Sequence, residues 1–169
     1  MMAFTHIAAG GASALVLSDL LHAQAAQAVL LLAGGVLGGM LPDIDHPASA
    51  FGRRVLPVSM TIAAIFGHRG ITHSFIAVAA MLFAAWYALH SFEWHPGYSM
   101  PFVLGVSAGY LSHLVCDWLA NSGVPLLWPM QRRFAAPVTI QTGSPVEYLI
   151  AFGLYAWLGA GIVKGLGHA

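Results

Sequence analysis

The chain has 169 residues, of which 59% are hydrophobic and only 7% charged, with a formal net charge of zero. An ordinary soluble domain carries roughly 25% charged residues, so this composition, with a mean hydropathy of +0.78, assigns the chain to a bilayer and leaves no separate soluble domain. Zero net charge on few charges supplies no basic field for counterion release, which argues against nucleic acid as a partner.

The first apolar segment, about 4–21, starts almost at the N-terminus. It has no basic n-region and is interrupted early by His6, so it reads as a retained helix and not as a cleaved signal peptide. The second, about 25–41, contains GGVLGG, whose small residues four apart favour close helix contact in lipid. Pro42 ends it, inside the polar insert LPDIDHP at 41–47. The apolar stretch 55–67 is too short to span and reads as a re-entrant or interfacial piece. A second polar insert, HRGITHS at 68–74, leads into a third long segment at about 73–92, with Thr72 as the expected N-cap. The fourth segment, about 100–120, carries SHLVCDW at 112–118 within apolar sequence. Cys116, the lone cysteine, has no intramolecular partner and reads as a packing residue. The fifth segment, about 145–164, opens on Ser144, Pro145 and Glu147, which together spell an N-cap, a first-turn proline and a capping-box glutamate.

Each long segment must be helical, because backbone amides find no other partner in lipid. The predicted fold is therefore all-α: one multi-pass domain over 1–169, an integral membrane bundle of about five transmembrane helices with a re-entrant or interfacial segment near 55–67. Alternate crossing puts the long loops 42–72 and 121–144 on one face. Five of the six basic residues, Arg53, Arg54, Arg69, Arg132 and Arg133, fall in those loops, and only Lys164 lies opposite. The positive-inside rule then makes that face, and the N-terminus with it, cytoplasmic.

The same topology gathers ionisable groups that are costly to bury without partners. His6 opens the first helix; Asp43, Asp45 and His46 follow the second; His68 and His73 precede or open the third; His113 and Asp117 lie near the end of the fourth. His113 and Asp117, four apart on a helix, share one face and can chelate one ion or hydrogen-bond across helices. Asp43 and Asp45 would repel each other unless a cation lies between them or water solvates the turn. These eight nitrogen and oxygen donors exceed the four that one tetrahedral ion needs, which points to two divalent ions, with zinc, manganese and iron all suited to the set. Arg69, Arg53 and Arg54 are candidates to bind a phosphate, and Glu147 is a candidate proton shuttle alongside its capping role. His22, His90, His95 and His168 fall toward the other face or the tail and are not assigned to the site.

The order of His6, LPDIDHP followed by GRR, HRGITHS, GYLSHLVCD, GVPLLWP and TGSPVE resembles the YdjM-type membrane proteins over about 4–150. That family is described as LexA-regulated and inner-membrane-associated, with an expected metal-dependent hydrolase activity. The resemblance implies a multi-pass inner-membrane protein with a hydrolase site at these residues, and the DxDH, HRxxTHS and HxxxD patterns are all intact. The leading expectation is a membrane-embedded hydrolase acting on a phosphoester of a lipid or isoprenoid through a metal-activated water. An ester or amide substrate is a close variant. Two other classes compete: a transporter using the His/Asp cluster as a proton or metal relay, and a scaffold with a structural metal.

Overall fold

The structure, a computed structural model, describes residues 1–66, 70–91, 95–130 and 132–166. His68, Arg69 and His168 lie outside the described residues. Among the described residues the regular structure is helical: α1 (Ala3–Leu20), α2 (Ala25–Met40), α3 (Leu56–Phe66), α4 (Phe75–Ser91), α5 (Pro96–Leu119) and α6 (Pro145–Leu166), with short 3-10 turns at Leu41–Asp45, Gly52–Val55 and Ile71–His73.

Among the described residues, four helical spans are long and apolar enough to cross a membrane: Ala3–Leu20, Ala25–Asp45, Gly97–Leu119 and Pro145–Gly165. The fifth expected crossing, α4, is an apolar helix of 17 residues. At 1.5 Å per residue it is about 25 Å long, the lower limit for a span. Helix α3, at 11 residues, is about 16 Å long and cannot cross. It exposes Leu56, Val58, Met60, Ile65 and Phe66, as expected of an interfacial piece.

Helix α2 is the centre of the bundle, packed most extensively on α5 and then on α1. Its four glycines explain how. A Cβ on Gly34 or Gly38 would strike the α5 backbone at Phe102 and Val106, while one on Gly35 or Gly39 would strike the α1 backbone at Gly10 and His6. The two interleaved pairs, each four apart, let α2 touch a neighbour on two faces at once. Helix α4 packs on α5, and α6 leans chiefly on α1. The outer helices expose large apolar side chains such as Phe83 and Phe152, which face lipid in a membrane bundle.

Two expected caps are revised. Helix α4 begins at Phe75, after a 3-10 turn, and its capping oxygen is Ser74 Oγ, which accepts from the Ala77 N–H at 3.4 Å. Thr72 does not cap: it lies inside the preceding 3-10 turn, where its hydroxyl donates to Asp45 Oδ2. At α6, Ser144 Oγ accepts from the Glu147 N–H at 3.4 Å, but the Glu147 carboxylate takes the Gly143 N–H at 2.6 Å in place of the reciprocal Ser144 bond. The connection from α5 to α6 folds back over the same end of the bundle. Val124 and Phe134 exchange both backbone hydrogen bonds at 2.9 Å, and Leu126 O receives the Phe75 N–H at 2.9 Å.

Candidate metal centre

Up-and-down packing brings the start of α1, the end of α2, the turn before α4 and the end of α5 to one end of the bundle. Five of the expected donors meet there: His6, Asp43, His73, His113 and Asp117. His6, His73, His113 and Asp117 are buried, and Asp43 is 18% exposed. Donor atoms of His73, His113 and Asp117 all lie within 4.8 Å of one another, as do those of His6, Asp43 and His113.

The separations suit a cation. His73 Nε2 is 3.3 Å from His113 Nε2, 3.4 Å from Asp117 Oδ2 and 3.9 Å from Asp43 Oδ1. His113 Nε2 is 3.8 Å from both Asp43 Oδ1 and Asp117 Oδ2. Around a tetrahedral ion with ligand distances near 2.0–2.2 Å, donors stand about 3.3–3.6 Å apart. His6 Nε2 lies 3.4 Å from the other oxygen of the same carboxylate, Asp117 Oδ1, which also receives the Met1 α-amino group at 2.6 Å. The two oxygens of Asp117 therefore face different histidines, the arrangement of a bridging carboxylate. His6 stacks on His113 with ring centroids 3.6 Å apart, and its buried Nδ1 has no hydrogen-bond partner among the described residues. A buried ring nitrogen without a partner costs free energy, and a metal ion would offset that cost. On these observations the residues fit a metal.

Local backbone geometry sets the chemistry of two rings. His113 Nδ1 lies 2.7 Å from Gly39 O, one of the last four carbonyls of α2, which lack partners within the helix. A carbonyl only accepts, so Nδ1 carries the hydrogen and Nε2 presents its lone pair to the cluster. Ligation through Nε2 gives His113 to one ion only. His73 has Nδ1 beside Thr72 Oγ1 at 3.0 Å and Asp45 Oδ2 at 3.4 Å. Burial alone would lower its pKa, but hydrogen bonds to Asp117 and Asp45 outweigh that and raise it from 6.5 to about 8.

Several expected site residues fall elsewhere. Asp45 is buried on the Nδ1 side of His73, away from the nitrogen that faces the cluster. His46 turns toward the following loop, where its Nδ1 accepts from the Ala48 N–H at 3.4 Å. Glu147 is buried and accepts from three donors, the Met2 N–H at 2.6 Å, Thr5 Oγ1 at 2.9 Å and the Gly143 N–H at 2.6 Å. Its carboxylate clasps the start of α1 to the start of α6 and is outside both donor groups. Arg53 and Arg54 are exposed, and Arg54 Nη1 donates to Ala50 O at 2.6 Å. Ala50 and Phe51, separated from them by Gly52, line a small cleft together with Ala3, His6, Gly39, Met40 and Asp43. Of the candidate donors, the buried His6 and the partly exposed Asp43 line this cleft. Neither the Gly39 carbonyl nor the Thr72 hydroxyl is marked as a site group by any motif in the sequence. The only signals were that Gly39 occupies the last turn of α2 and that Thr72 precedes His73.

Comparison with known proteins adds an independent line. A family model described as YdjM inner membrane protein matches residues 1–166. The inner membrane protein YdjM of Escherichia coli (strain K12) is 42% identical over 129 residues, 75% of this chain and 64% of that protein. The Shigella flexneri protein of the same name gives the same figures. YvsG of Bacillus subtilis (strain 168), an uncharacterized protein, is 33% identical over 126 residues, 75% of this chain and 74% of that protein. The aligned chain thus spans under two thirds of the Escherichia coli and Shigella relatives. No solved structure matches the chain. Apolar helices, one layer of His and Asp at their ends, and a match running through every motif agree, and the chain is a multi-pass inner-membrane protein belonging to the YdjM inner membrane protein family.

Proposed function

We propose that this protein is a membrane-embedded, metal-dependent hydrolase acting on a phosphoester of a lipid or isoprenoid at the cytoplasmic face of the inner membrane. The observation that carries this reading is the convergence of five imidazole and carboxylate groups from four chain segments on one buried spot, next to a small cleft that leaves Asp43 partly exposed and whose lining residue Ala50 accepts from the exposed Arg54. A purely structural His–Asp staple would need neither the surplus of donors nor the opening.

His73, His113, Asp43 and Asp117 would hold a first divalent ion, and His6 with the second oxygen of Asp117 would contribute to another. When bound, such ions supply an acidified water and positive charge for a developing oxyanion. The chain's own groups do the rest. Asp43, the partly exposed carboxylate of the set, faces His73 and His113 through Oδ1 and would accept the proton of the attacking water on its other oxygen, Oδ2. Arg53 and Arg54, beside the pocket residues Ala50 and Phe51, bind the phosphate oxygens as planar guanidinium forks. Because the site is at helix ends, the apolar tail of the substrate stays in the bilayer while its head group reaches the donors.

The test is phosphate release from a panel of phospholipids and polyprenyl phosphates by detergent-purified protein supplied with divalent metal. Turnover of at least one member, abolished in Asp43→Ala and reduced mainly through KM in the Arg53→Ala/Arg54→Ala double variant, is the expected result. Turnover that survives Asp43→Ala would overturn the assignment.

A further inference from the structure

The His73 ring is held from both sides, and the two sides differ in kind. Nε2 faces Asp117 Oδ2 at 3.4 Å and His113 Nε2 at 3.3 Å. Nδ1 faces away from the cluster, toward Thr72 Oγ1 at 3.0 Å and Asp45 Oδ2 at 3.4 Å. The Thr72 hydroxyl donates to that same Asp45 oxygen, so its oxygen is left to accept from the imidazole. The Thr72 carbonyl in turn accepts from the Tyr110 hydroxyl, and Tyr110 is packed in a small core with Leu114 and Val124. A continuous line of contacts therefore runs from the body of α5, through Thr72 and the buried Asp45 carboxylate, to the outer nitrogen of one candidate ligand.

An ionised carboxylate is an acceptor only, and a hydroxyl that has given away its hydrogen can only accept. Both neighbours of Nδ1 thus require the ring hydrogen to be there, leaving the Nε2 lone pair directed at the cluster. We propose that Asp45, acting with Thr72, is a positioning residue that fixes the tautomer and orientation of His73 for metal binding and is not itself a ligand. This rests on the metal reading above and divides the DIDH motif by role: Asp43 contacts the ion, and Asp45 holds the histidine that does. Carboxylate partners of ligating histidines typically contribute 10–100-fold in metal affinity.

Titration of the detergent-purified protein with cobalt(II) tests this, because the visible bands report the ligand set while their saturation reports affinity. Asp45→Ala is expected to weaken cobalt binding by roughly 10–100-fold with the same final number of ions per chain and unchanged band positions. Thr72→Ala should weaken binding in the same manner and Thr72→Ser should restore it, a rescue that general loss of packing would not give. His73→Ala, which removes a ligand, should shift the bands. Bands that move in Asp45→Ala as they do in His73→Ala would make Asp45 a ligand and overturn the proposal. Wild-type affinity in Asp45→Ala would overturn it too. Should Asp45→Ala fail to fold, the Thr72 pair decides: equal affinity in Thr72→Ala and Thr72→Ser overturns the proposal. A wild type that binds no cobalt instead removes the metal reading itself, before any variant is compared.

Discussion

At the scale of single residues, what a side chain can do here is decided by the atom on its far side. His113 gives its Nδ1 hydrogen to the Gly39 carbonyl at 2.7 Å and is left with one lone pair for the site. Hydrogen bonds to Asp117 and Asp45 push the His73 pKa up to about 8, against 6.5 for an unperturbed imidazole. The folded state thus binds a proton that the unfolded chain has released. That contributes about 2 kcal/mol of stability, fully present below the lower value and lost as pH rises through the upper one. A ligating imidazole must be deprotonated, so metal has to displace this proton. Metal affinity is expected to rise with pH up to about 8 and level off above it, and calorimetric titrations across that window check it; a flat profile would contradict the assignment of His73 as a ligand. Glu147 makes the opposite case. It was legible as a capping residue, and its three donors show a clasp between helix ends. Glu147→Ala should cost about 1–3 kcal/mol for each buried donor left unpaired, read as a lower melting temperature, with metal content per chain unchanged. Loss of bound metal at unchanged stability would return Glu147 to the site.

At the scale of elements, the glycines of α2 connect packing to chemistry. Because Gly38 rests on the α5 backbone at Val106, α2 lies close enough for its last-turn carbonyl to reach His113. Gly38→Ala should push the helices apart at a cost of about 1–3 kcal/mol and weaken metal binding at the same time. Gly153→Ala on α6, where an added Cβ meets nothing within 4 Å, should do neither; thermal unfolding and cobalt titration of the two variants check the contrast. The helices themselves were legible in the sequence, since hydrophobic length and the absence of backbone partners in lipid leave one solution. Less legible was what happens between them. The 3-10 turn that places His73 ahead of α4 depends on Asp45 taking the Thr72 hydroxyl, a contact across 27 positions of chain, and no local pattern encodes it. For the same reason Asp43 and Asp45, two residues apart and alike in charge, could not be told apart by role until the backbone placed one in the pocket and the other behind a histidine.

At the scale of the whole molecule, the fold is a device for bringing helix ends together. The starts of α1 and α6, the turn before α4 and the ends of α2 and α5 share one end of the bundle, and candidate ligands separated by more than a hundred positions, such as His6 and His113, become neighbours. That convergence was legible from counting crossings, although the division of roles within it was not. If that end is cytoplasmic, Gln141→Cys on a Cys116→Ala background should react with an impermeant thiol reagent in inverted inner-membrane vesicles and not in spheroplasts, with Leu21→Cys showing the reverse; the opposite pattern would invert the topology. The central claim, that the buried His and Asp groups form a metal centre, is tested most directly by elemental analysis of protein purified without exposure to chelator. About two divalent ions per wild-type chain, the number that the surplus of donors implies, falling in both His113→Ala and Asp117→Asn, is the predicted result. Substoichiometric metal in the wild type, or metal content unchanged in those variants, would contradict it.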